Sequence, residues 1–332
     1  MQRIKFSGFA RLQKLDISKP SFKLSENLLR WAVWLAAGAS GAVFLYIAGF
    51  ILVKGIPHIR PGLFAPVYTS ENASLLPALV STIIVTLLSL AIAAPLGIFA
   101  AVWLVEYTRR GAMRRTKPVL RVRTRKRKKI GAYIYAFASP FAVLKGRLAG
   151  IVDKLAALVR ITAETLAGIP SVVYGLFGML FFVNFLGMGF SVIAGSLTLS
   201  LMILPLVLRS TEEALRSVPD DWRLGSFSLG AGRLRTVFYV VLPAAAPGIL
   251  AGVILAIGRI AGETAALIYT AGTVAQVPSN PLQSARTLSV HVYALSSEGL
   301  HTGEAYAAAA VLLFLVIGIN TVAGALAKTV GR

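Results

Sequence analysis

Two charges of opposite sign stand inside an apolar stretch, Arg259 and Glu263 in Ala256-Ile-Gly-Arg-Ile-Ala-Gly-Glu-Thr-Ala-Ala-Leu267. Four residues apart on a helix, they lie on one face and can pair directly, which lowers the cost of burying either. Charges within a membrane span are costly and usually line a pathway. Arg259 offers a planar donor fork suited to an oxyanion such as phosphate. Glu263 opposes a polyanion by simple charge, so the pair reads as a gate more than as a deep binding site. The plainer alternative is a structural ion pair that fixes helix packing. At 100° per residue, Ala245, Gly248, Gly252 and Ala256 fall within about 60° of the same face. Small residues at such spacing let helix backbones approach, so this face is expected to meet another helix, in this chain or a partner.

A second constellation lies in the polar segment 209–243. Pro219 followed by Asp220 and Asp221 reads as a helix start, with acids at the positive end of the helix dipole. Gly230 and Gly232 can supply the φ > 0 positions that end a short helix. Pro243 then opens the next apolar run, at a position where proline is tolerated. A short helix between two spans results, suited to dock on a soluble protein.

Other chemistry is missing. The chain has no cysteine, which excludes disulfides, thiolate metal sites and thiol catalysis. Its three histidines, His58, His291 and His301, have no metal-ligand spacing. There is no G-x-x-x-x-G-K-[ST] phosphate loop and no Ser-His-Asp set. Any active transport must draw on an ion gradient or on a partner. Ion-coupled carriers distribute acids through the membrane; here only Glu263 is clearly intramembrane, which favours a partner.

The elements that would position these residues are membrane helices. Of 332 residues, 56% are hydrophobic and 14% charged, and mean hydropathy is +0.75, against about a quarter charged in soluble domains. Six apolar stretches, 31–53, 75–105, 166–186, 191–208, 244–271 and 305–327, predict an all-α integral membrane protein with six transmembrane helices. The third and fourth are joined by Gly187-Met-Gly-Phe190, a tight hairpin. Of the 34 Lys+Arg, seven precede helix 1, sixteen lie between helices 2 and 3, five between helices 4 and 5, and two follow helix 6. Only Lys54, Arg60 and Arg286 fall on the other side. Thirty against three predicts cytoplasmic N- and C-termini. The organisation expected is a cytoplasmic segment 1–30, helices 1–2 in 31–108, a basic cytoplasmic insertion 109–160, helices 3–6 in 161–327, and a tail 328–332.

Residues 109–147 hold fourteen of the basic residues and no acid, so most of the net charge of +21 sits there. This reads as a topology-fixing loop with affinity for anionic lipid, and nucleic acid is not an expected partner. Residues 131–150 are read as an interfacial segment, not a seventh span.

The 209–243 loop resembles the "EAA" coupling loop of permease subunits of bacterial ABC importers, E-A-A-x3-G-x9-I-x-L-P. Gly230, Val240, Leu242 and Pro243 fall at its spaced positions, while Leu224, Gly225 and Ser226 replace the E-A-A triplet and the acids lie a few residues earlier. Gly258-Arg-x-x-Gly-Glu-Thr-Ala266, Leu166-Ala-Gly-Ile-Pro-Ser-Val-Val-Tyr-Gly-Leu-Phe-Gly178 and Val218-Pro-Asp occur in order with it. Together they look like the A-type permease subunit of the phosphate-specific (Pst) ABC importers, over most of 30–327; the C-type subunit has related motifs. The usual helix 2–3 connection is short, so 109–150 looks like an insertion. Pro170 and Ser171 have a structural reading of their own, the opening of a Gly-rich helix.

The resemblance implies a type I ABC importer permease in a bacterial or archaeal inner membrane, paired with a second Pst-type permease. Two copies of a cytoplasmic ATPase, which would bind ATP and Mg, and an external phosphate-binding protein would complete the machine. It implies no cofactor and no catalysis in this chain. A permease for sulfate or molybdate, or an ion-coupled carrier, are the competing expectations.

Overall fold

A computed structural model describes residues 20–108, 150–299 and 301–330. The insertion residues 109–149, including the densest basic run and the segment read as interfacial, lie outside the described residues. The chain divides into two units, Met1–Lys54 and Gly55–Arg332. The first is described as the helix α1, Pro20–Gly55, which begins some ten residues before the apolar run that predicts it.

All regular structure among the described residues is helical. Five helices are long and apolar enough to cross a membrane, Asn27–His58, Leu76–Tyr107, Val192–Ser217, Arg233–Ala261 and Thr302–Ala325, and a bent pair makes a sixth crossing if taken as one.

α2 (Leu76–Tyr107) carries Pro77 in its first turn, where no N–H is missed. Its buried residues Ser81, Val85, Ser89, Ala93, Gly97, Ala101 and Val105 recur every fourth position, a ridge of the kind that interdigitates with another helix. The partner is α5 (Val192–Ser217), the most extensive pairing in the molecule. A methyl on Gly97 would come within 2.9 Å of Val207 Cγ1. Across the contact, Ser89 Oγ donates to Ser196 O at 3.2 Å and Ser200 Oγ donates to Ser89 O at 3.1 Å. The contact therefore combines small residues with interhelical hydrogen bonds, the usual adhesive between apolar helices in lipid. The last turn of α2, Trp103–Tyr107, is a wider π-helix.

The expected third span is not one helix. α3 (Gly150–Ala167) and α4 (Ser171–Phe185) meet at 104°. Pro170, extended at φ −60°, ψ 143°, lacks an N–H and forces the preceding residue away from helix. Tyr174 Oη donates to Leu166 O at 2.8 Å and fastens the bend. α4 has 15 residues, about 22 Å of helix, less than the roughly 30 Å of a hydrocarbon core. The boundary expected at 160–161 also dissolves, since 150–160 belongs to α3.

Gly187 and Gly189, at φ +66° and +62°, make the turn into α5, and Ser191 caps that helix by accepting from Ala194 N at 3.2 Å. α5 runs to Ser217, nine residues beyond its apolar run, because Glu-Glu-Ala-Leu-Arg is good helix sequence, with Glu213 and Arg216 exposed and Glu212 buried in an ion pair. α6 (Asp220–Ser228) follows. α7 (Arg233–Ala261) starts ten residues earlier than Pro243 would suggest. A π-helical stretch, Val237–Val241, precedes that proline and accommodates it within the helix. α8 (Ala265–Ile268), α9 (Leu288–Glu298) and α10 (Thr302–Val330) complete the chain, with Gly299 at φ +70° between the last two.

Candidate functional site

The small-residue stripe of α7 meets α5 of the same chain. A methyl on Gly248 would lie 2.7 Å from Ala214 Cβ, and one on Gly252 would overlap the side chain of Ser210. Ala256 is buried in the core shared by α2, α5 and α7. This close approach brings Arg209 on α5 and Arg259 on α7 to one cavity of about 380 Å³. Its other walls include Tyr174 beyond the bend, Met202, Ser210 and Glu213.

Arg209 and Glu213 also line a neighbouring cavity of about 410 Å³, with Arg160, Glu164, Glu212 and Arg216. There, Glu212 Oε1 accepts from Arg160 Nε at 2.9 Å and from Arg216 Nη2, so two guanidiniums share one carboxylate. On the other flank, Arg259 borders a third cavity of about 320 Å³ with Gly258, Val316 and Asn320. Arg209 lines the first and second of these cavities and Arg259 the first and third. Neither takes part in an ion pair among the described residues, so both donor forks remain available to an anion.

Arg259 and Glu263 are not an i, i+4 helical pair. α7 stops at Ala261 with Gly262 as its cap, and Glu263 N donates to Ile260 O at 3.0 Å as the chain turns. No ion pair joins Glu263 to Arg259 among the described residues. Instead, Glu263 Oε1 accepts from Ala266 N at 3.3 Å at the start of α8, and its carbonyl accepts from Ser289 Oγ of α9 at 2.6 Å. Glu263 thus organises the break in the fifth apolar stretch. The reason is local: Gly258 and Gly262 bracket Arg259 and weaken the final turn.

Pro170 and Ser171 lie at the α3–α4 bend, where Ser171 opens α4. Glycines of that helix make close approaches: a methyl on Gly175 would reach 2.9 Å from Ala266 Cα, and one on Gly178 would overlap Thr198.

In the 209–243 segment, Asp220 and Asp221 form the first turn of α6 behind Pro219. Leu224 and Gly225 face outward, Ser226 Oγ lies 2.9 Å from Thr236 Oγ1, and Gly230 takes φ +84°. Gly232 is extended at φ −71° and supplies no left-handed position. Leu242 and Pro243 sit inside α7. Trp222, Leu224 and Leu229 form an exposed apolar surface, Leu229 at 91%.

The inward side of α6 holds a residue that sequence reasoning missed. Arg223 is 2% exposed, and both its Nε and Nη2 donate to Glu106 Oε1 of α2, at 3.0 and 2.8 Å. Glu106 had one signal, being the only acid between Glu71 and Asp153.

The broken helices, the helix-rimmed cavities and the surface helix between two spans define a membrane permease. Residues 138–332 match the family model described as "Binding-protein-dependent transport system inner membrane component". The chain is 39% identical over 187 residues to the probable ABC transporter permease protein YqgI of Bacillus subtilis, covering 52% of this chain and 64% of that one. It thus spans a little under two thirds of that relative's length. It is 31% identical over 273 residues to the probable phosphate transport system permease protein PstA of Methanocaldococcus jannaschii, covering 81% of this chain and 82% of the other. In fold it is similar to a chain of a bacterial alginate ABC transporter crystallised with its alginate-loaded periplasmic protein, with a TM-score of 0.59 at 14% identity over 93% of this chain and 97% of that one.

The chain belongs to the family of binding-protein-dependent transport system inner membrane components. It is a multi-pass inner-membrane permease component, helical throughout its described regular structure.

Proposed function

We propose that this chain is a permease subunit of an ATP-driven importer of inorganic phosphate. The observation that carries the substrate is the relationship to the phosphate transport permease over four fifths of both chains; two arginines on one cavity wall, neither in an ion pair among the described residues, agree with it. Arg259 and Arg209 receive the oxyanion in turn with their planar forks. Glu263, by setting the break after α7, positions Arg259, and the α7–α9 junction is the gate.

A second, Pst-type permease completes the pathway. An external phosphate-binding protein delivers substrate, and two copies of a cytoplasmic ATPase, which hold ATP and Mg, dock on α6. Asp220, Asp221, Leu224, Gly225, Ser226 and Gly230 form that coupling surface, with Leu242 and Pro243 carrying its movement into α7. Both termini and α6 are cytoplasmic, as the distribution of Lys and Arg favours, and the fourteen basic residues within 109–147 favour anionic lipid as a partner.

Arg259→Gln removes the charge while keeping much of the volume. It is expected to abolish phosphate uptake in cells while the protein still inserts in the membrane. Unimpaired uptake refutes the role.

A further inference from the structure

We propose that Arg223 and Glu106 form the joint through which movement of the coupling helix α6 reaches α2, a positioning pair that sets how much substrate moves per ATP hydrolysed. The inference rests on the reading of α6 as the ATPase-docking helix.

A nine-residue surface helix has little reason to bury a guanidinium, yet Arg223 is among the most enclosed large side chains in the molecule. Its five N–H groups are matched by five hydrogen bonds. Besides the two to Glu106, Nη1 donates to Val218 O at 2.8 Å and to Asp220 Oδ1 at 3.3 Å, and Nη2 donates to Leu215 O at 2.8 Å. The three local bonds clamp the end of α5 to the start of α6. The two to Glu106 cross 117 positions to a different helix. Glu106 is 5% exposed, so neither charge has water as an alternative partner, and separating the pair strands a buried charge.

The receiving end is unusual as well. Glu106 lies in the π-helical last turn of α2, a conformation rare in helices and frequent at functional sites. The same turn accepts a bond from α3, Arg160 Nη2 to Leu104 O at 3.4 Å, while Arg160 pairs with Glu212 of α5. The end of α2 is therefore gripped by one arginine from the coupling helix and by another that faces the charged cavity. Above it, the α2 ridge and the Ser89–Ser196–Ser200 bonds lead into the core that carries Met202 and Ala256. A push on α6 reaches the cavity walls through this route without passing along the backbone of α5.

The test uses the whole complex, with both permeases, the ATPase and the binding protein, in proteoliposomes. It compares wild type with Glu106→Gln, Arg223→Lys and the exchange Glu106→Arg/Arg223→Glu. Phosphate uptake and ATP hydrolysis are measured together. Because the chain lacks cysteine, spin labels can be placed at Phe99→Cys and Ser228→Cys to follow the α2–α6 distance with and without ATP. The expected result is that Glu106→Gln and Arg223→Lys assemble and hydrolyse ATP while uptake per ATP falls about tenfold or more. The label distance, constant in wild type, changes with ATP in the variants, and the exchange restores part of the ratio. An unchanged ratio and distance in the single variants overturns the joint, as does a loss of assembly, hydrolysis and uptake in proportion that the exchange does not relieve. If wild type couples ATP hydrolysis to the binding protein but moves no phosphate, the substrate reading fails, and the label distances still decide the joint.

Discussion

Gly252→Ala should separate the two helices that carry Arg209 and Arg259. The α7 backbone approaches α5 so closely here that a methyl would overlap both Cβ and Oγ of Ser210. Rotating the serine hydroxyl away relieves one contact, but its Cβ is fixed to the α5 backbone, so the helices themselves must part. Overpacking of this kind costs about 1–3 kcal/mol, or a fall in Tm of about 2–6 °C for a chain of this size. Ser210→Gly opens the space and by itself costs about 1 kcal/mol as a helical glycine. The double variant should therefore be less impaired than the sum of the singles by about 1–2 kcal/mol. Gly324→Ala, where an added methyl meets nothing within 4 Å, serves as the control and should be neutral or slightly stabilising. The assay is thermal unfolding of the detergent-purified protein, with phosphate uptake alongside. Strict additivity of Gly252→Ala and Ser210→Gly, or a Gly252→Ala protein as stable as the control, would refute the close approach.

Three other outcomes follow from the geometry. His291, fully buried on α9, has its pKa lowered to about 4 by burial and then by Arg286. A depressed histidine pKa favours the fold above the unfolded value of 6.5, and that contribution is lost as pH falls from there toward about 4. At pH 5 the loss is about 2 kcal/mol relative to pH 7, and it should vanish from the pH dependence of Tm in His291→Asn. Gly178→Val should disrupt the α4–α5 contact at Thr198 and cost about 1–3 kcal/mol, measured as the fraction of protein recovered folded from membranes. A cysteine at Ser228 should react with an impermeant maleimide only after the membrane is opened from the cytoplasmic side; labelling of intact cells would reverse the orientation.

Much of the fold can be read in the sequence because lipid imposes one rule, that backbone polar groups be satisfied within the segment. The charge-free run behind α2 and the Gly-x-Gly turn before α5 express that rule locally. Helix ends do not, since polar sequence such as Ser210 to Ser217 continues a helix as well as ending it. Pro170 bends its span and Pro243 does not end one. The difference lies in the neighbours, the Tyr174–Leu166 bond at one and a π-helical turn at the other. In the candidate site, the stripe Gly248, Gly252, Ala256 was legible from periodicity alone. The Arg259–Glu263 pair was not, because spacing of four implies contact only if the helix continues past Gly262. Arg209 was hidden among the loop charges by the same continuation of α5. Arg223 and Glu106 meet only in the folded molecule, where a helix end and a surface helix come together, and no local pattern joins positions so far apart.

The most direct test of the central claim is uptake of radiolabelled phosphate by the reconstituted complex in proteoliposomes, with sulfate as competitor. The expected result is uptake that requires ATP and the phosphate-binding protein, is undiminished by excess sulfate, and is lost in Arg259→Gln. Uptake by this chain alone without ATP, or uptake displaced equally by sulfate, would contradict it.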